Sequence, residues 1–251
     1  MRKNQNKAMN ESVIELINVT KKFGKIEVIH DVSVKIPKGR IVALIGANGS
    51  GKTTLMRMIS TIIKPTYGEI FVDGVDAKKM PKECKKKIGL ILGGDATLFK
   101  NFTARENIHY FARLQGLTER IAKNRVNELS DLLKMNEYID KKVNTFSRGM
   151  RQKVVLASSL VHNPSILLMD EPSTGLDIFA VIDVQNIIKS CQMLNKTILI
   201  SSHNFNEIEK LCDYIVIIES GKIIFANEAS ALKKLTSSDS VEEAFKKLSG
   251  F

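Results

Sequence analysis

Tryptophan is absent from the 251 residues, aromatic residues make up only 6%, and there are three cysteines and five prolines. So few aromatic faces argue against a platform for stacking nucleic-acid bases, even though the formal net charge is +11. Cys84, Cys191 and Cys212 stand far apart, odd in number and without a Cys-x-x-Cys pair. That excludes a disulfide framework and a cysteine zinc site, and suits a reducing compartment. No apolar run approaches the ~20 residues that cross a bilayer, and the longest strand-like run is residues 214–218. Residues 1–12 are polar and basic, lack the apolar segment of a signal peptide, and are expected to form a flexible tail. The clustered lysines 78, 79, 82, 85, 86 and 87 read as a solvated helix face.

What is present is an alternation of short apolar strands and helices. Strands are expected at 13–19, 28–36 and 40–45, with turns at Gly24 and at Pro37-Lys38-Gly39. A helix should run from Lys52 to about Ile62, stopped by Pro65, with strands again at 69–72 and 88–92. Between 103 and 160 the apolar spacing becomes helical: Ile108, Phe111, Leu114, then Ile121, Val126, Leu129 and Leu132. Strand–helix alternation resumes from 165 to 225, and 228–251 reads as two short helices. Such a pattern predicts a parallel sheet covered on both faces, with an embedded helical subdomain.

Gly46-Ala47-Asn48-Gly49-Ser50-Gly51-Lys52-Thr53 fits G-x-x-x-x-G-K-[ST] between an apolar strand and a helical pattern. Its backbone is expected to wrap a phosphate, glycines standing where a side chain would block close approach. The following helix, which includes Thr54, turns its positive end to the same anion. Lys52 supplies a charge for the β- and γ-phosphates, and the Thr53 hydroxyl suits Mg²⁺. Further along, 166–169 is a buried-type strand that ends in Asp170 and Glu171. Asp170 is expected to hold the metal, and Glu171, projecting differently, to polarise the attacking water. His203 follows a strand expected to lie beside the acid-bearing one, within reach of the γ-phosphate.

Taken together, these residues resemble the ATP-binding-cassette (ABC) ATPases over about 14–248. Phe146-Ser147-Arg148-Gly149-Met150-Arg151-Gln152 is similar to the family signature, usually Leu-Ser-Gly-Gly-Gln. Residues 172–177 look like its D-loop, and His203 occupies the switch position. Phe23 matches the adenine-stacking aromatic. The stretch 98–107, the signature variant and the tail 241–248 resemble the bacterial ABC-2-type multidrug, peptide or sodium exporters. Two departures stand out. Arg148 and Met150 replace the commoner Gly and Gln, and Arg148 either brings a cation near phosphate or marks a subgroup. Gly94 stands where many members carry a Gln that contacts Mg²⁺.

The resemblance implies an α/β fold: a P-loop NTPase core with an N-terminal antiparallel β subdomain and an inserted helical subdomain. One domain is expected over 13–251. Its core spans 13–92 and 162–226, its helical subdomain about 95–161, and its C-terminal helices 227–251. The implied activity is hydrolysis of ATP with Mg²⁺ by a homodimer, or a heterodimer of related chains. Ser147 and Gly149 of one subunit would then face the phosphate loop, Asp170, Glu171 and His203 of the other. The implied partner is a separate transmembrane permease, with the chain peripheral on the cytoplasmic face of the cell membrane and no nucleic acid involved. A nucleic-acid or ribosome ATPase and a non-hydrolysing regulator are the alternatives.

Overall fold

The computed structural model describes residues 11–92 and 98–250, and two sheets organise them. The first joins β1 (Ser12–Phe23), β2 (Ile26–Pro37), β4 (Tyr67–Val72) and β5 (Val75–Asp76) in the order β2-β1-β4-β5, antiparallel throughout. The second joins β3 (Ile41–Ile45), β6 (Ile88–Ile91), β7 (Ile166–Asp170), β8 (Thr197–Ser201), β9 (Tyr214–Glu219) and β10 (Lys222–Glu228). Its order is β10-β9-β3-β8-β7-β6, parallel except for the β10 edge.

Side-chain alternation divides the interior into two cores, one on each face of the parallel sheet. From β3, Ile41, Ala43 and Ile45 enter one core and Val42 and Leu44 the other. Likewise β7 sends Leu167 and Met169 one way and Ile166 and Leu168 the other. The second core is closed by the antiparallel sheet and by α1 (Lys52–Ile59), which contributes Leu55, Met56, Met58 and Ile59. That leaves these strands with no solvent face, hence their unbroken apolar sequences.

The first core is closed by helices. The insert comprises α3 (Ala104–Leu114), α4 (Glu119–Leu132) and α5 (Arg148–Leu160), which follow the short, lysine-rich α2 (Pro81–Lys87). Thr103 and Glu106 form a reciprocal capping box at the start of α3. Fully buried Asn107 pins the preceding loop by accepting from Phe99 N (2.8 Å) and donating to Phe99 O and Thr103 O (3.1 and 2.9 Å). The remaining helices are α6 (Ile178–Met193), α7 (Phe205–Leu211), α8 (Ala229–Thr236) and α9 (Val241–Leu248). Leu232, Val241 and Ala244 bring the last two into the same core.

Some element ends differ from expectation. Ser12 already belongs to β1, and of the expected tail residues 1–10 lie outside the described residues. Helix α1 stops before Ile62: Thr61 takes φ 61°, and Ile62 N and Ile63 N both donate to Arg57 O (2.9 and 3.2 Å). The turn therefore precedes Pro65 instead of being imposed by it.

Candidate nucleotide and hydrolysis site

Strand β3 delivers the glycine-rich loop and α1 leaves it. Gly51 has φ 108°, a backbone state that a side chain would strain. Gly46 lies so close to β9 that a Cβ would fall 2.2 Å from Ile218 O. The loop is tied down from outside as well, because Gly221 N donates to Ser50 O (3.0 Å) and His30 N to Gly221 O (2.8 Å). Lys52 is buried and turns its Nζ back onto the loop, donating to Gly46 O (2.7 Å) and Ala47 O (3.1 Å). Burial lowers its pKa below the ordinary lysine value, opposed by the charges of Glu171 and Asp170.

Parallel pairing of β7 with β8 sets the acidic end of the site. Asp170 Oδ2 accepts from Thr53 Oγ1 at 2.8 Å, while its Oδ1 accepts from the Ser201 hydroxyl. At Glu171 the chain turns sharply, with φ 53°, and its N–H donates to Ser201 O (3.1 Å). The turn swings its side chain off the strand line. Glu171 Oε2 accepts from Thr174 Oγ1 (2.8 Å). Its Oε1 lies 3.3 Å from His203 Nε2, off the line of a hydrogen bond, and is buried without a hydrogen-bond partner. Ser50 Oγ is also buried without one.

Two orphaned polar atoms around a lysine call for polar occupants. Asn48, Lys52, Thr53, Asp170, Glu171 and His203 all line one cleft of about 330 Å³, as do Gly49, Ser50, Gly51 and Thr54. A phosphate chain would offer acceptors to Lys52 and the loop amides, and a water beside Glu171 Oε1 would have a proton acceptor. Among the described residues, no group of three or more His, Cys, Asp or Glu could hold a metal alone. Thr53 and Asp170 supply the one hydroxyl and one carboxylate that Mg²⁺ typically takes when phosphates complete its shell.

Not every expected residue joins this cleft. Phe23 is not among its lining residues; it stands 49% exposed at the end of β1, with Lys21 Nζ 4.9 Å from its ring centre. Val28 does line the cleft, and an apolar residue inside a strand carries no sequence signal for that. Ser201 was also not foreseen; a hydroxyl ending a buried strand was the available clue. Ser147 and Gly149 lie away from the cleft. Ser147 is exposed and caps α5, its Oγ accepting from Met150 N at 3.2 Å. At Gly149 a Cβ would fall 2.9 Å from Ala180 Cβ, so the starts of α5 and α6 are packed together. Arg148 lies over the D-loop, since a Cβ on Gly175 would meet its Nη1 at 2.2 Å. Gly94 lies outside the described residues.

Residues 29–174 match the family model described as ABC transporter. The chain is 41% identical over 220 residues to the ABC transporter ATP-binding protein NatA of Bacillus subtilis, covering 88% of this chain and 89% of that protein. It is 33% identical over 233 residues to the lantibiotic transport ATP-binding protein SrtF of Streptococcus pyogenes, covering 93% and 96%. Among solved structures, an ATP-binding subunit of an ABC transporter superposes with a TM-score of 0.86 at 24% identity, over 95% of this chain and all (100%) of that one. The ATP-binding cassette MJ0796, a dimer bound to ADP and Pi, superposes with a TM-score of 0.75 at 26% identity, over 86% and 98%.

Proposed function

The chain belongs to the ABC transporter family as its ATP-binding, ATP-hydrolysing subunit, and on that premise we propose that it works as a homodimer on the cytoplasmic face of the membrane, driving a separate permease that exports drugs, peptides, lipids or ions. The observation that carries the chemistry is the cluster at one cleft of Lys52, the Thr53–Asp170 hydrogen bond and the unpartnered Glu171 Oε1. Lys52 exchanges its two loop carbonyls for phosphate oxygens when ATP binds. Thr53 and Asp170 would hold a Mg²⁺, which would supply positive charge to stabilise the transferred phosphoryl group. Glu171 accepts a proton from the attacking water, and His203 contacts the γ-phosphate. Ser147, Gly149 and the N-terminal amides of α5 serve the site of the second copy, which accounts for their position away from their own cleft.

Exposed apolar surface supports both docking events. Directly after the D-loop, Ile178 and Phe179 are 77% and 82% exposed, apolar surface that a second copy would cover. On the helical insert, Phe99, Phe102 and Tyr110 form an exposed aromatic cluster, with ring centres 5.2 and 4.9 Å from Phe99. Nearby, a groove of about 240 Å³ between core and insert is lined by Ile62, Leu90, Phe111, Val155 and His162. We assign this groove to a cytoplasmic helix of the permease. No helix among the described residues is long and apolar enough to cross a membrane. The export direction rests on relatives named for lantibiotic and bacitracin transport and daunorubicin resistance, names that do not favour the nucleic-acid or regulatory alternatives.

The test is purification of the tagged chain from gently solubilised membranes, with Mg²⁺-dependent phosphate release measured on the product. A co-purifying multi-span protein that stimulates or accompanies ATP hydrolysis is expected. Recovery with ribosomes or DNA-bound proteins alone would overturn the transport reading and leave the ATPase chemistry standing.

A further inference from the structure

Glu207 is 2% exposed in the first turn of α7, although no ion pair to it occurs among the described residues. The sequence Asn204-Phe205-Asn206-Glu207 suggests the bland role of a capping box, and half of one is present: Asn204 Oδ1 accepts from Glu207 N at 3.2 Å. The reciprocal half is not made. At Thr103 and Glu106, by contrast, the carboxylate does reach back to the cap N–H, at 2.8 Å. The Glu207 carboxyl group goes elsewhere. One oxygen accepts from the Ser173 hydroxyl and the other from Ser202 Oγ at 2.7 Å. Ser173 lies two residues beyond Glu171, and Ser202 immediately precedes His203. Ser202 Oγ also accepts from Asn204 N at 3.1 Å, which fixes the turn that carries His203.

Leu176 and Phe205 pack against the first core just beyond these two turns, whereas Ser173, Gly175 and His203 contribute no side chain to it. Glu171, Ser173, Ser202, His203 and Glu207 border an open cleft of about 730 Å³, whose far wall includes Glu242 of α9. Hydrogen bonds must therefore supply the register that side-chain packing supplies elsewhere. We propose that Glu207 is a positioning residue for hydrolysis: its buried carboxyl group locks the turn after Glu171 to the turn carrying His203, and so sets the distance between those two side chains. This rests on the hydrolytic roles proposed above for Glu171 and His203.

Two measurements on the full-length chain test it. The four histidines give a small set of ring resonances, with His203 assigned by its loss in His203→Ala. In nucleotide-free protein, Ser173→Ala and Glu207→Ala should each shift or broaden the His203 signal and leave the His30 and His109 signals in place. Steady-state hydrolysis should then show kcat reduced about 10- to 100-fold in Glu207→Ala, the scale of a misplaced reacting group, with KM and ATP affinity within about twofold. Glu207→Gln, which keeps an acceptor and the shape, should restore most of kcat. An unmoved His203 resonance in both Ser173→Ala and Glu207→Ala overturns the proposal, as does parallel loss of ATP affinity and kcat. If Glu207→Ala fails to fold, the small Ser173→Ala truncation decides through the same two readouts. Wild-type protein that hydrolyses no ATP, with or without its permease, would instead refute the reading on which the proposal rests.

Discussion

Glu171 Oε1 and His203 Nε2 stand 3.3 Å apart, brought together from the ends of two neighbouring parallel strands. Neither strand end alone puts this carboxylate beside this imidazole. The shared register of β7 and β8 does, because Glu171 N donates back to Ser201 O and the chain then turns both side chains toward the phosphate loop.

Glu171→Gln keeps the size of the side chain and removes its capacity to take a proton. Phosphate release should fall about 100-fold or more, the usual worth of a general base. ATP binding should persist, and size-exclusion chromatography with ATP should show a dimer that nucleotide-free protein lacks. A monomeric variant with wild-type turnover would remove Glu171 from this role.

Lys52→Ala deletes charged hydrogen bonds to phosphate worth about 1.5–3 kcal/mol, or roughly 10- to 150-fold in ATP affinity. Calorimetric titration should show that loss. Thermal stability should also fall, because the buried Gly46 O loses this donor.

Ser147 has a local duty as an N-cap, so Ser147→Ala alone is ambiguous. Loss of the cap should cost about 1 kcal/mol, or roughly 2–4 °C in Tm. Ser147→Asn retains a capping acceptor and should keep the wild-type Tm. Both variants should lose at least about tenfold in hydrolysis while the isolated chain binds ATP normally. Normal turnover in Ser147→Asn would restrict Ser147 to capping.

His162 lines the groove assigned to the permease, with Nε2 3.1 Å from Ile88 O and Nδ1 buried without a hydrogen-bond partner. Burial lowers its pKa below 6.5; the Ile88 carbonyl opposes the shift, and Lys196 and Arg125 add to it. The unfolded chain therefore binds this proton more readily than the folded one. The contribution is fully present above pH 6.5 and is lost as pH falls from there toward the folded pKa. Thermal melts from about pH 7.5 to about pH 5.5 should show a falling Tm, with a smaller fall in His162→Gln. An identical fall in both proteins would assign the acid sensitivity elsewhere.

Much of this molecule is local in origin, and that part was legible in the sequence. The loop 46–53, the acids ending an apolar strand and the serine opening a helix each depend on contiguous residues whose spacing sets backbone geometry. The two-faced burial of β3, β7, β8 and β9 was equally visible, because a strand without a solvent face has no polar alternation. By itself the sequence thus determined the class of fold, the phosphate chemistry and the family. Tertiary structure alone decided the contacts that cross between segments. The sheet order put Ser201 on Asp170 and Val28 in the cleft, and carried Arg148 to Gly175. It also turned Glu207, which in sequence is an ordinary helix-capping residue, away from its own helix and onto Ser173 and Ser202. The physical reason is that a side chain's partner depends on which strands become neighbours, and strand order is a property of the whole sheet that no local spacing encodes.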